Sequence, residues 1–217
     1  MLTYEQIKKD SAIQAYINAA DASLCALGYT EHSLAHVSKV AETAARILKA
    51  RGCDEHTVEL AKIAAHMHDI GNLVNRIDHS QSGAVMAFRI LDNLGMPPED
   101  IATVVTAIGN HDEGTGVPVN EVSAALILAD KSDVRRSRVR NSDFATFDIH
   151  DRVNYSVESS RLDIENLTVR LTLKIDTSIS SLMDYFEIFL GRMTLCRRAA
   201  DKLGFTFRLT INDQNFI

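Results

Sequence analysis

The stretch Ala64-Ala65-His66-Met67-His68-Asp69-Ile70-Gly71 places two histidines and an aspartate at the end of an apolar, helix-forming run. Neighbouring residues of a helix point about 100° apart, so His68 and Asp69 would not normally share a ligand. At the last turn of a helix, however, a metal ion that lies between helices can accept both side chains. The carboxylate of Asp69 has a second oxygen, with which it could bridge to a second ion. Gly71 then allows the chain to turn away sharply beside the ions.

The sequence around this stretch has the periodicity of amphipathic helices. Up to about residue 140, apolar residues recur every three or four positions, and glycines or prolines mark the ends of the periodic segments. The pattern predicts six helices, at about residues 3–27, 33–50, 54–70, 80–94, 97–110 and 120–138.

Beyond about residue 150 the pattern changes to the alternation of apolar and polar residues that is typical of strands. It predicts strands at residues 155–164 and 167–175, joined by a turn at Glu165-Asn166. A helix capped by Ser178 or Ser180 should run to about residue 200 and be followed by a strand at residues 205–211. The sequence therefore predicts a mainly α fold, with a helical domain over residues 1–145 and a small C-terminal α+β (β-β-α-β) extension over residues 150–217.

Composition limits the classes of function. The chain has 217 residues, of which 46% are hydrophobic, enough to bury a core. Its net charge of -6 argues against a protein whose main surface binds nucleic acid. The three cysteines are far apart in sequence, as in proteins of a reducing compartment. Neither a signal peptide nor a long apolar span is evident. We expect a soluble, cytoplasmic protein that binds no nucleic acid and no membrane.

Further candidate metal ligands surround the first stretch. Seven of the eight histidines lie between residues 32 and 111. Asp130 follows the apolar run 124–129, where a buried charge without a partner would be costly and a metal ion would remove that cost. A second His-Asp pair, His150-Asp151, has no comparable set of candidate ligands around it in the sequence and is assigned no role. The histidines placed at predicted helix ends or faces near the first stretch are His36, His79 and His111.

The ordered set of these residues resembles the HD superfamily of metal-dependent phosphohydrolases, in the form with additional histidines for a second metal. The matching segments are 31–37 (EHSLAHV), 68–71 (HDIG), 79–84 (HSQSGA) and 129–131 (ADK). The resemblance covers about residues 28–140 and implies the helical bundle of an HD domain.

The resemblance also implies a site with two divalent metal ions. The ligands of the first ion would be His36, His68, Asp69 and Asp130, with Asp69 bridging to a second ion held by His79 and His111. Iron or manganese is expected, with magnesium, cobalt, nickel or zinc as alternatives, since imidazole and carboxylate ligands do not choose among them. The implied reaction is hydrolysis of a phosphoester or phosphoanhydride in a small molecule, most plausibly a nucleotide, by a metal-activated hydroxide.

Other side chains are predicted to assist the reaction. Together with Asp69, we expect His32, four residues before His36, and Asp112, beside His111, to act in catalysis. Lys131, Arg135 and Arg136 follow Asp130 and are predicted to bind phosphate oxygens, for which arginine has a suitable fork of donors. The alternative for each of these residues is a solvated surface side chain.

Two other functions are compatible with the same residues. A di-iron oxygenase of this superfamily would use the ligands to activate oxygen, and a non-catalytic nucleotide-binding module would use the domain in signalling. One departure from the family pattern is Asn72, because many relatives carry lysine directly after the HDIG turn. The extension could cover the site, bind a regulator or offer a sheet edge for a homodimer.

Overall fold

The computed structural model describes residues 2–217, so only Met1 of the predicted helical domain lies outside the described residues. The fold class is confirmed, because helices dominate and a small sheet lies at the C-terminal end. The helices are α1 (Tyr4–Lys9), α2 (Ser11–Ala26), α3 (Leu34–Arg51), α4 (Glu55–Met67), α5 (His79–Asn93), α6 (Pro98–Gly109), α7 (Glu121–Lys131), α8 (Ile149–Ser156) and α9 (Leu182–Lys202). The strands are β1 (Val157–Glu165), β2 (Thr168–Ile175), β3 (Thr206–Ile211) and β4 (Gln214–Asn215).

The first predicted helix is two helices, and the prediction of one continuous helix over residues 3–27 is wrong. Asp10 adopts an extended backbone, and its carboxylate accepts hydrogen bonds from the N–H groups of Ala12 and Ile13 at 2.9 and 3.0 Å. An aspartate that caps the following helix competes with continuation of the preceding one. The apolar periodicity runs through this break and therefore does not reveal it.

Two further boundaries differ from prediction. Helix α7 ends at Lys131 instead of Arg138, because the chain turns back there and Arg138 donates to the carbonyl oxygens of Glu31 and Asp133. The long C-terminal helix is capped by Ser181, which forms a capping box with Asp184, and by neither Ser178 nor Ser180. Helix α8 was not predicted from the sequence.

Helix α7 lies at the centre of the helical part. All of its residues from Val122 to Lys131 are buried, and it packs against α3, α4, α6 and α9. A helix that is apolar around most of its circumference must be covered on all sides. This burial carries the last two residues of the helix, Asp130 and Lys131, into the interior of the protein.

The C-terminal sheet has the strand order β1-β2-β3-β4. Strands β1 and β2 form an antiparallel hairpin whose turn residues, Asn166 and Leu167, both have left-handed backbones. Strand β3 runs parallel to β2, with α9 as the crossover between them. Because α9 packs on α7 as well as on β3, the apolar core continues from the helices into the sheet. The predicted boundary between domains stays a prediction.

The described chain offers no membrane-crossing element. Within residues 2–217, no helix combines the length and the apolar character that crossing a bilayer requires.

Position 71 requires glycine because two segments approach each other closely there, whereas the sequence predicts a sharp turn as the reason for this glycine. Gly71 lies in a short 3-10 helix, Ile70–Leu73, that packs on the start of α5. A Cβ atom added at Gly71 would lie 2.0 Å from the carbonyl oxygen of His79 and 2.4 Å from the amide nitrogen of Gly83. Both neighbours are backbone atoms, so the clash cannot be relieved by a side-chain rotation.

We predict that Gly71→Ala lowers the free energy of unfolding by about 2 kcal/mol, because α5 must move away from the 3-10 helix. Gly191→Ala is the matched control, since no atom lies within 4 Å of the added Cβ in α9. Alanine should raise stability there by about 0.5 kcal/mol or more through its helix propensity. Urea unfolding followed by circular dichroism measures both values, and equal stabilities would contradict the close-packing argument.

Candidate metal centre

Six side chains from distant parts of the sequence meet in one buried cluster. They come from α3, the end of α4, the start of α5, the end of α6 and the end of α7, and each is at most 9% exposed. The cluster consists of all the predicted metal ligands: His36, His68, Asp69, His79, His111 and Asp130.

Asp69 lies at the centre of the cluster, with one carboxylate oxygen directed to each of two histidine pairs. Its Oδ2 lies 3.0 Å from Nε2 of His68 and 3.7 Å from Nε2 of His36. Its Oδ1 lies 3.5 Å from Nε2 of His79 and 4.0 Å from Nε2 of His111. The two pairs therefore form two half-sites that share a single carboxylate.

The four histidines all turn Nε2 toward Asp69 because their other ring nitrogens are held by acceptors. Carbonyl and carboxylate oxygens only accept, so each Nδ1 carries a proton, and the Nε2 of a neutral ring presents a lone pair. The acceptors are the carboxylate of Asp133 for His36 at 2.8 Å, and the carbonyl oxygens of Ala65 for His68 at 2.7 Å, Arg76 for His79 at 3.1 Å and Ile108 for His111 at 2.6 Å.

The lone pairs of the first half-site have no donor. Among residues 2–217, nothing hydrogen-bonds to the buried Nε2 atoms of His36 and His68. Burying acceptors without partners is costly, and a cation bound between them removes that cost. Nitrogen and oxygen atoms of His36, His68 and Asp130 lie within 4.8 Å of one another, a spacing that fits one metal ion.

The second half-site also fits a cation, although one positive group already lies near it. The Nε2 atoms of His79 and His111 face each other at 3.2 Å, where two lone pairs repel. The ligand atoms of His68, Asp69 and His111 also lie within 4.8 Å of one another. Arg76 places Nη1 3.3 Å from Nε2 of His79. An ion in this half-site would have to displace Arg76 or share His79 with it.

The charges of the cluster are those of a cation site. Burial opposes ionisation of Asp69 and Asp130, but His68 and Lys131 respectively outweigh it and hold the pKa of both carboxyls well below the usual range. Burial also disfavours a charged His68, yet Asp69 and Asp130 raise its pKa to about 10. Burial, together with the charges of His68 and Lys131, lowers the pKa of His111 to about 3. The carboxylates thus attract positive charge, which a proton on His68 supplies when no metal does.

Two residues outside the predicted set orient the ligands. Asp133 holds His36 and is itself bonded by Lys39 Nζ and Arg135 Nε, both at 2.7 Å. Asn72 Nδ2 donates to Oδ1 of Asp69 at 2.9 Å. The three-residue spacing of Asp130 and Asp133, which places both on one side of a helical turn, is a sequence signal that could have indicated the first of these. Asn72 stands where many relatives carry lysine, and here its amide orients the bridging carboxylate.

A cavity of about 420 Å³ opens above the cluster, with Asp69, His79, His111 and Asp130 among its lining residues. His32 lines this cavity as predicted from the sequence, whereas Asp112 does not. The adjacent residue Glu113 takes that place in the wall. Its Oε2 lies 2.8 Å from Nζ of Lys131, which also lines the cavity.

The predicted phosphate contacts of two arginines find no support in the cavity lining. Arg135 binds Asp133 through Nε and Nη2, and Arg136 donates to the carbonyl oxygen of Tyr155 while its guanidinium lies over the Tyr155 ring. Neither is among the residues that line the cavity. The turn after Lys131 directs them elsewhere, and it is Arg138 that reaches the wall.

The remaining helical histidine near the cluster is a core residue. His66 is fully buried, and its ring packs edge-on against Tyr4 with the ring centres 5.6 Å apart. This packing gives His66 a structural role in the core.

The chain is similar to known proteins over part of its length. A family model described as HD domain matches residues 31–141, just over half of the chain. Uncharacterized protein MJ1020 of Methanocaldococcus jannaschii is 24% identical over 162 residues, which cover 64% of this chain and 62% of that protein. The chain thus spans about three fifths of the length of that curated relative. The crystal structure of a predicted HD superfamily hydrolase from an uncultured Thermotogales bacterium is 26% identical, with a TM-score of 0.46, and covers 57% of this chain and 67% of that one.

We predict that Asp133→Asn weakens binding of Mn²⁺ by about 10- to 100-fold, because a neutral amide accepts from Nδ1 of His36 less strongly than the carboxylate does. The amide also loses the ion pairs with Lys39 and Arg135 that hold the side chain in place. Asp163→Asn is the control, since that carboxylate lies on β1 and, within residues 2–217, pairs with the exposed Arg161 alone. Titration calorimetry with Mn²⁺ measures the affinities, and thermal melts show whether the variants fold. An affinity as high in Asp133→Asn as in the control would exclude an orienting role for Asp133.

Proposed function

Because the chain belongs to the HD domain family, we propose that it is a metal-dependent phosphohydrolase that cleaves a phosphoester or phosphoanhydride bond of a small molecule. Membership of the family supports a metal-dependent hydrolase in general. The observation that carries the finer proposal is the position of Asp69, with one oxygen for each pair of inward-facing histidines. A carboxylate shared in this way is what two-ion phosphoryl hydrolysis requires.

The proposed ligands divide into two sets. His36, His68, Asp69 and Asp130 would hold the first ion, while His79 and His111 would hold a second one together with Asp69. Their donors are nitrogen and oxygen without sulfur, which favours borderline metals such as iron or manganese over soft ones. When bound, such ions make water a nucleophile near neutral pH and offset the negative charge of the phosphoryl group.

His32 would receive a proton or bind the substrate. Its Nδ1 donates to the carbonyl oxygen of Thr30 at 2.7 Å, which leaves Nε2 as an acceptor on the cavity wall. Burial holds the pKa of His32 well below its usual value, although Asp69 acts in the opposite direction. The ring is therefore neutral and its Nε2 can accept a hydrogen bond from water or from a substrate hydroxyl.

Lys131 would bind a phosphate oxygen. Its ammonium group has three donors, and two carboxylates, those of Asp130 and Glu113, accept from it at 2.7 and 2.8 Å. The third donor is left for a ligand in the cavity. We propose a nucleotide as the substrate, because a cavity of about 420 Å³ lies within the range of small-molecule sites, roughly 300–1,000 Å³.

The first experiment combines metal analysis with hydrolysis assays. We expect one to two divalent ions per chain and manganese-dependent release of product from a panel of nucleotides and phosphate esters. Asp69→Ala should lose both the ions and at least about 100-fold of the activity, because both half-sites depend on this carboxylate. Asp163→Ala is the control and should keep metal and activity.

Other outcomes would favour the alternative functions. Oxygen consumption by the reduced iron-loaded protein, without hydrolysis, would favour a di-iron oxygenase. Stable binding of a nucleotide that is never turned over would favour a signalling module. Protein that binds no metal under any loading condition would contradict the proposal itself.

A further inference from the structure

One wall of the cavity is built by residues that the family model does not cover. The match ends at residue 141, whereas α8 and α9 lie beyond it. The lining residues from this part of the chain are Asp148, His150, Asp151 and Asn154 around α8, and Ile188, Phe189 and Arg192 on α9. The C-terminal extension therefore contributes directly to the cavity above the metal cluster.

Arg192 is the one cation among these extension residues that line the cavity, and it is held in a single orientation. Its Nε and Nη2 lie 3.0 and 2.9 Å from Oε1 of Glu113, and the guanidinium carbon lies 4.2 Å from the centre of the Phe189 ring. The side chain is 20% exposed. These contacts use one edge of the guanidinium, so Nη1 remains for a ligand. A fixed arginine fork loses little entropy when it binds an oxyanion.

Glu113 joins Arg192 to the phosphate-binding lysine proposed above. Its Oε1 binds Arg192, and its Oε2 lies 2.8 Å from Nζ of Lys131. Two cations thus flank the carboxylate of Glu113, and Lys131 also pairs with Asp130 at 2.7 Å. Phosphate oxygens are strong acceptors for such a pair of charged donors.

Another part of the cavity wall, around α8, carries carboxylates. Asp148 and Asp151 line it, and Asp151 is 9% exposed, with Asn141 as a hydrogen-bond donor at 3.3 Å. Carboxylates repel phosphate but accept hydrogen bonds from hydroxyl or amino groups. The extension therefore offers a phosphate-binding group at Arg192 and hydrogen-bond acceptors around α8.

We infer that Arg192 of the C-terminal extension binds a phosphate group of the substrate together with Lys131. The substrate is then a phosphate ester whose organic part carries hydroxyl or amino groups, as in a nucleoside or sugar phosphate, and the extension selects it. The identity of the substrate rests on the proposed function, whereas binding of phosphate at Arg192 requires no turnover.

The test measures binding of inorganic phosphate to the manganese-loaded protein by titration calorimetry. We expect Arg192→Gln to bind phosphate about 10-fold or more weakly, because a charge-assisted hydrogen bond is lost. Its metal content should equal that of the wild type. Arg198→Gln is the matched control, since Arg198 lies exposed on the same helix and should leave phosphate affinity unchanged. Phosphate affinity of Arg192→Gln equal to that of the control would overturn the inference.

A second variant keeps the test decisive if Arg192→Gln fails to fold. Arg192→Lys retains the charge and the pairing with Glu113 but loses the fork of donors. Its phosphate affinity should fall between those of the wild type and a protein without the cation, and unchanged affinity would again overturn the inference.

Turnover assays separate this inference from the proposed function. If the wild type hydrolyses none of the compounds but loses phosphate affinity in Arg192→Gln, the inference stands and the proposed hydrolase does not. If it hydrolyses nucleotides and Arg192→Gln has the same KM and phosphate affinity, the hydrolase stands and the inference does not.

Discussion

The carboxylate of Asp69 is the constraint on which the rest of the structure depends. It is buried and ionised, and each of its oxygens faces the Nε2 atoms of two histidines. Such a group is unfavourable in an apolar interior unless positive charge compensates it. Four helix ends and one helix face must therefore come together around one point, and the glycine contact at Gly71 allows α5 to approach closely enough.

A layer of hydrogen bonds outside the cluster keeps the ligands in place. Backbone carbonyl oxygens of Ala65, Arg76 and Ile108 fix three of the histidines, and Asp133 fixes the fourth. Asn72 restrains the central carboxylate. Because these groups belong to packed helices or to the segments next to them, the packing of the helical part sets the geometry of the cluster.

The extension is connected to the cluster through one chain of ion pairs. Arg192 binds Glu113, Glu113 binds Lys131, and Lys131 binds Asp130. This chain runs along the contact between α7 and α9, where the apolar core passes from the helices to the sheet. The same packing that buries α7 therefore brings an arginine of α9 to the cavity. The extension thereby shares the site and the core with the rest of the protein.

The sequence by itself determined the mainly α fold and the six side chains of the cluster. Apolar periodicity reports which face of a helix is buried, and the ordered ligand types report their shared chemistry. The sequence did not predict the break at Asp10, the end of α7 at Lys131 or helix α8. In these places capping groups or tertiary contacts override the apolar periodicity. Only the tertiary structure decided which oxygen of Asp69 faces which histidines, because that depends on packing between helices distant in sequence. The same reason placed Arg192 and the second His-Asp pair, His150-Asp151, in the cavity wall and turned Arg135 and Arg136 away from it.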